Sequence, residues 1–352
     1  MPDSVPGIDL QRLLLWFRKN VAPAEKLSAQ IIGHGRSNLT YRLQAGDRAW
    51  VLRRPPLSHV QPTAHDMSRE FRVLSALVGT GFPAPRTIAL CQEPDVIGAP
   101  FYIMEYVEGL VPADAAEVAR RFDESQRRRI GEELIDVLVR LHSFVPEEIG
   151  LGDFGRPQGY LERQVRRFSE QIERLAHEGR GELAELNELA RRLAAAIPPE
   201  RVPGIVHGDY RLDNAILDDD GHIIAVLDWE MCTLGDSLAD VGMLRMYWPD
   251  RDGQGQLLPV PGTAVMTLPG FPTWQEAAAR YEKGSGHDLS NLDFYVVLGH
   301  FKLGVILDNM HRRFLAGGTV GAGFEMIGQQ ALLLARRGLE VADASSVAAL
   351  RG

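Results

Sequence analysis

The sequence predicts an α+β fold in two lobes, a small β-rich N-lobe over residues 1–106 and a larger, mainly helical C-lobe over 107–352 that carries a β-hairpin. Three observations predict it. Short apolar runs separated by turns crowd residues 27–54 and return at 101–109. Helical periodicity dominates from residue 123 onward. Within that helical half, residues 205–230 hold two apolar runs around Asp220-Gly221, and Asp-Gly between apolar runs is a strong hairpin signal.

A chain of 352 residues has length for one large domain or two packed lobes with ample core. Hydrophobic content of 45% and charged content of 24% are those of an ordinary globular protein. A net charge of −9 with no basic stripe argues against nucleic acid as a partner. Cys91 and Cys232 lie far apart and form no metal-spaced pair, so both read as small buried hydrophobes in a reducing compartment. The N-terminus lacks a basic region followed by an apolar run, and no apolar run is long enough to span a bilayer. The expectation is a cytoplasmic protein without membrane or nucleic-acid partners; the oligomeric state is not legible.

In chain order, Asp9 can cap a helix with Leu10, Leu13, Leu14 and Phe17 on one face. Residues 27–54 read as three strands. The first connection, Gly33-His34-Gly35-Arg36-Ser37-Asn38, offers backbone N–H groups and hydroxyls that can lie over phosphates, although a plain hairpin turn has the same composition. In the strand Ala49–Arg54, alternation puts Val51 and Arg53 on one face and Trp50, Leu52 and Arg54 on the other. Residues 66–79 form an amphipathic helix with Phe71, Leu74, Leu77 and Val78 inward. Asp123 and Gln126 cap a helix through Ser143, where His142 reads as a buried structural histidine. Residues 159–196 give two helices broken at 179–181. The Gly- and Pro-rich stretch 249–273 is a long loop, a lid or a surface excursion. Helices follow at 274–283, from near 292, and at 323–342.

The chemistry concentrates in residues 205–230. His207-Gly208-Asp209 is followed five residues later by Asn214, and the second hairpin strand delivers Asp228. The hairpin is expected to bring these oxygen-bearing side chains together at one end. Mg²⁺ prefers a few carboxylate or amide oxygens and leaves its other positions to water and phosphate. Asn214 and Asp228 are the candidate metal ligands. Asp209, left without a metal to hold, can accept a proton from an attacking hydroxyl. The other reading of the stretch is a surface hairpin with acidic turns.

The spacing resembles the catalytic loop and metal-binding aspartate of protein kinases, with His-Gly-Asp for His-Arg-Asp and Asp-Trp-Glu for Asp-Phe-Gly. Those replacements resemble the aminoglycoside phosphotransferase and choline kinase superfamily, which has a protein-kinase-like bilobal fold. Leu52-Arg53, residues 207–214, Leu227–Glu230 and Gly270-Phe271-Pro272 look most like the sub-group related to kinase-like domains fused to acyl-CoA dehydrogenases. The resemblance implies transfer of the γ-phosphate of Mg–ATP to a small-molecule hydroxyl. It places Gly33, Gly35 and Ser37 over the phosphates and puts Arg53 where kinases carry lysine, paired with Glu70. It makes residues 101–109 the hinge, with Met104 at the adenine pocket and Glu105 and Val107 supplying backbone groups. It has Asp236, in Gly235-Asp236-Ser237, brace the catalytic loop through backbone hydrogen bonds; an ordinary helix N-cap is the other reading of this residue, and the two are compatible. The sub-group points to a hydroxyacyl metabolite or its coenzyme A thioester as acceptor. Two other readings stand beside this one: a non-catalytic kinase-like binding module, and a metal-dependent phosphohydrolase acting on water.

Overall fold

The computed structural model describes residues 5–32, 38–57, 66–177, 184–249, 263–315 and 326–352. The Gly33–Ser37 loop lies outside the described residues, as do the break at 179–181 and most of the long loop. The chain divides into two compact units. The first is Met1–Leu110 with Ala215–Asp218 and Ile223–Cys232; the second is Val111–Asn214 with Asp219–His222 and Thr233–Gly352. The sequence reading places the whole hairpin in the C-lobe, whereas its strands group with the N-terminal unit.

In the first unit, strands β1 (Ser28–Ile31), β2 (Leu39–Ala45), β3 (Arg48–Arg54), β4 (Thr87–Cys91) and β5 (Phe101–Glu105) form an antiparallel sheet in the order β1-β2-β3-β5-β4. Helix α1 (Leu10–Asn20) starts where Asp9 accepts hydrogen bonds from the N–H groups of Gln11 and Arg12. Its Leu13 and Phe17 are fully buried in a core with Tyr41, Leu43 and Trp50. Arg54, on the opposite strand face from Arg53, is buried as well and donates to the carbonyls of Pro55, Gly7 and Ile97. Helix α2 (Met67–Leu77) buries Glu70, Val73, Leu74 and Leu77. Val78, expected inward, is 45% exposed because the helix ends at Leu77 and Val78 takes an extended conformation as its C-cap.

In the second unit, α3 (Ala115–Arg121), α4 (Glu124–Ser143), α5 (Tyr160–His177) and α6 (Ala184–Ala195) precede strand β6 (Gly204–Val206). The Asp123/Gln126 capping box forms as the sequence predicts. The hairpin strands β7 (Ala215–Leu217) and β8 (Ile223–Val226) pair antiparallel within the first unit. Gly221, in the connecting turn, has φ +86°, a backbone that asks for glycine. Strand β9 (Thr233–Gly235) pairs with β6. Then follow α7 (Leu238–Tyr247), α8 (Trp274–Ser285), α9 (Leu292–Leu315) and α10 (Ile327–Ala344). The sequence pattern starts the last helix at 323; residues 323–325 lie outside the described residues. Helix α9 buries Phe294, Val297, Leu298, Phe301, Val305 and Leu307, and Tyr295, His300 and Asp308 are buried with them.

Helices α7 and α9 cross closely at Gly242, where a Cβ would stand 2.5 Å from the Cβ of Tyr295. Overpacking of a filled core costs about 1–3 kcal/mol. Gly242→Ala is expected to lose that much in urea unfolding, with the slope against denaturant unchanged.

Candidate active site

The first unit holds a buried polar cluster. Arg53 and Tyr102 are opposite each other across β3 and β5, as are Val51 and Met104, so all four share one sheet face. Arg53 Nε lies 3.1 Å from Glu70 Oε2, and an Nη donates to Asp228 Oδ1 at 3.1 Å. Tyr102 OH and Asn38 Nδ2 donate to the two Glu70 oxygens at 2.9 and 2.6 Å. Asn38 also donates to Glu230 at 3.1 Å. Burial works against the Arg53 charge, but Tyr102, Glu70, Asp228 and Glu230 outweigh it and hold its pKa above the ordinary value. Burial pushes the Glu70 carboxyl up, against Arg53 and the two hydrogen bonds.

Asp228 sits at φ 64°, ψ 64°, the left-handed region, and no other non-glycine among the described residues has a positive φ. Such a backbone costs of order 1–3 kcal/mol and persists where surrounding structure holds it. Here β8 fixes one side and the buried Trp229 the other, with the indole N–H donating to Val226 O at 2.9 Å. The Asp228 side chain makes no capping bond to the short 3₁₀ turn it precedes and keeps 36% exposure. Met104 is buried; the Glu105 N–H is taken by Arg86 O, so of the three hinge residues Glu105 has no N–H to offer a ligand. Gly33, Gly35 and Ser37 fall outside the described residues.

The second unit holds the loop after β6. His207 and Gly208 donate their backbone N–H groups to the two oxygens of Asp240, each at 2.7 Å. His142 Nε2 lies 3.3 Å from the same carboxylate, and His142 Nδ1 lies 2.7 Å from Tyr281 OH. Asp240 has no solvent exposure. Burial alone would raise its pKa, but the His142 hydrogen bond, the charges of His142 and His207, and the Gly208 N–H hold it below the ordinary carboxylate range. This corrects the reading that gave the bracing of the loop to Asp236, whose contacts follow its other reading, a cap at the helix start. Asp236 instead accepts from Tyr295 OH at 2.7 Å and from Leu238 N–H at 3.1 Å, which caps the start of α7. The reason is helical geometry: Asp240 lies one turn further on and projects from α7.

The loop, held this way, presents Asp209. Its N–H donates to His207 Nδ1 at 3.3 Å. Asn214 Nδ2 donates to the Asp209 carbonyl at 2.9 Å and to Asp209 Oδ2 at 3.0 Å. With its NH₂ so committed, Asn214 keeps its carbonyl oxygen as an acceptor. Arg211 lies between Asp209, at 3.4 Å, and Asp213, at 3.2 Å, with its guanidinium 5.2 Å from the centre of the Tyr247 ring. The Asp213 carboxyl is pushed up to about 6 by burial and by Asp209, against Arg211. Sequence reasoning brought out Asp209, Asn214, Arg53, Glu70 and Asp228. It missed Tyr102, Asn38, Arg211, Asp213 and Asp240. Strand alternation signals Tyr102, and the Asp236-x-x-x-Asp240 spacing at a helix start signals Asp240.

Two outcomes are expected here. In Asp240→Asn one of the two backbone donors faces an amide NH₂ in place of an oxygen. Loss of a hydrogen bond to a buried charge costs about 1.5–3 kcal/mol. Amide exchange at His207 and Gly208 should accelerate together with a matching fall in stability. For Asp213, the folded pKa lies above the unfolded value of about 4. Its stabilising contribution is therefore full below pH 4 and is lost as pH rises through about 6. Asp213→Asn should remove that fall, and denaturation curves of variant and wild type should differ by a pH-dependent amount of about 1–3 kcal/mol across this window.

Comparison with known proteins gives a consistent family. The sequence profile of the phosphotransferase enzyme family matches residues 28–279. Acyl-CoA dehydrogenase family member 11 of Gallus gallus is 33% identical over 338 residues, which cover 94% of this chain and 42% of that protein. The chain thus spans less than half the length of this relative. A Ralstonia eutropha structure, provisionally called an aminoglycoside phosphotransferase, superposes with TM-score 0.78 at 31% identity, covering 96% of this chain and 99% of that one. A thermostable mutant of aminoglycoside phosphotransferase APH(4)-Ia, in ternary complex with AMP-PNP and hygromycin B, shares the fold with TM-score 0.59 at 13% identity, covering 94% of this chain and 98% of that one.

Proposed function

The chain belongs to the phosphotransferase enzyme family, and from that premise we propose that it transfers the γ-phosphate of ATP to the hydroxyl of a small molecule, with Asp209 as the base. The observation that carries the proposal is the state of Asp209. Its carboxylate is 29% exposed, oriented by Asn214 and charge-balanced by Arg211, on a loop whose backbone is fixed by a buried aspartate. A base so placed can meet a substrate hydroxyl without first rearranging.

The residues fit magnesium. Asn214 has an uncommitted amide oxygen, and Asp228 a partly exposed carboxylate that no local cap consumes. Both are hard oxygen donors, and magnesium takes few of these from protein. We assign the two as its ligands; when bound, the ion neutralises phosphate charge. Arg53 suits a phosphate oxygen, since a guanidinium carries five N–H donors and only Nε faces Glu70 and one Nη faces Asp228. Arginine forks onto two oxygens and stays charged, so its standing where kinases carry lysine is compatible with transfer. Gly33, Gly35 and Ser37 over the phosphates, Glu70 as the partner of Arg53, and Met104 and the Val107 backbone at the adenine complete the nucleotide assignment.

In the step itself the acceptor hydroxyl oxygen forms a bond to Pγ, the bond from Pγ to the ADP oxygen breaks, and the hydroxyl proton passes to Asp209. The likeness to an acyl-CoA dehydrogenase family member supports a hydroxyacyl metabolite, or its coenzyme A thioester, as acceptor.

General-base removal costs about 10²–10⁴ in rate. Asp209→Asn should lose at least that in acceptor-dependent ADP release while its nucleotide affinity stays within a few-fold of wild type. A near-wild-type rate in that variant contradicts the assignment of the base.

A further inference from the structure

Lys302, on α9, is 6% exposed, whereas Lys19, Lys26 and Lys283 are all exposed. An ammonium withdrawn from water needs a carboxylate or hydrogen-bond acceptors to compensate it. Lys302 has neither an ion pair nor a hydrogen bond among the described residues. What it has is the face of Phe168 on α5, with Nζ 5.9 Å from the ring centre. Arg167 stands against the same ring, its guanidinium also 5.9 Å from the centre, and it too has no ion pair or hydrogen bond among the described residues. Two cations thus stand at one aromatic ring, and neither has an anion paired to it among the described residues. Burial pushes the Lys302 pKa down and Arg167 adds to this, while Asp240 and Asp209 act in the opposite sense. Of these two carboxylates Asp240 is consumed by the loop backbone and His142, and Asp209 is the proposed base. Beside Arg167 a cavity of 450 Å³ opens on α5, lined by Arg163, Gln164, Arg166, Arg167 and Glu170.

We infer that Lys302 and Arg167 bind an oxyanion of the acceptor, so that the acceptor carries a carboxylate or phosphate besides its hydroxyl and is not a polyamine sugar. The inference rests on the phosphotransferase reading of Asp209. An anion at Lys302 supplies a counter-charge that no described residue provides, and charge-assisted hydrogen bonds to two cations give it both affinity and orientation. A polycation meets two like charges at the same place, which rejects it.

The test has two arms. In the first, acetylation of Lys302 by acetic anhydride is followed by peptide mass spectrometry in the presence of 3-hydroxybutyrate, 3-hydroxybutyryl-CoA, glycerol or kanamycin. At saturation, 3-hydroxybutyrate or the thioester should slow Lys302 labelling about tenfold or more. Glycerol and kanamycin should leave it unchanged, and Lys19, Lys26 and Lys283 should be unaffected throughout. Protection by the free acid identifies a carboxylate as the oxyanion; protection by the thioester alone identifies its phosphates. In the second arm, ADP release is measured with the protecting compound as acceptor. Lys302→Met should raise the acceptor KM about tenfold to a hundredfold without a matching change in the ATP KM, and Lys302→Arg should restore part of the loss. Arg167→Met should weaken protection in the same direction.

Absence of protection by either anionic compound overturns the inference, as does a folded Lys302→Met with an unchanged acceptor KM, or protection by kanamycin. Protection without any Mg–ATP turnover leaves the oxyanion site standing and defeats the phosphotransferase reading instead.

Discussion

The Asp240 carboxylate, fully buried, accepts two backbone N–H groups from the turn that precedes Asp209. A peptide N–H in the interior must find an acceptor, and two consecutive ones at a tight turn cannot both find it in regular secondary structure. One ionised carboxylate satisfies both at once, and fixes the loop by doing so. Most else in the second unit follows from keeping that charge tolerable. His142, at the end of α4, lies against it, and Tyr281 of α8 lies against His142. Three helices and a loop are thereby tied to one group, and Asp209 is presented by a backbone with little freedom to move.

The first unit solves a related problem with opposite sign. Arg53 is a largely buried cation, its side chain 11% exposed, and Glu70 and Asp228 are the anions that admit it. Neither anion is symmetrical in its circumstances. Glu70 is buried and held from three sides by Arg53, Tyr102 and Asn38. Asp228 is partly exposed and rides a left-handed backbone. A carboxylate so arranged has an anchored partner on one side and access on the other, which is the condition for holding something that arrives from solvent.

Much of this was legible in the sequence because it depends on local pattern. The capping residues Asp9 and Asp123, the Asp220-Gly221 hairpin, the alternation that separates Arg53 from Arg54, and the spacing of Asp209, Asn214 and Asp228 are all short-range signals. What could not be read depends on which elements meet. Asp236 and Asp240 are both acidic residues at a helix start; a cap is legible at the first, but only packing decides that the second reaches the loop and that the first receives Tyr295. Lys302 follows the buried Phe301 in α9, and only packing places its ammonium against Phe168 of α5. Val78 continues the helical period, yet the helix stops before it.

The central claim, an ATP phosphotransferase that uses Asp228 to hold the metal–nucleotide complex, is tested most directly by thermal unfolding with and without Mg–ATP, in wild type and in Asp228→Ala. A ligand that binds only the folded state stabilises by about 2.7 kcal/mol at a hundredfold excess over its dissociation constant. The account predicts a clear upward shift in wild type that is lost in the variant. Absence of a shift in wild type at saturating Mg–ATP, or an equal shift in the two proteins, would contradict it.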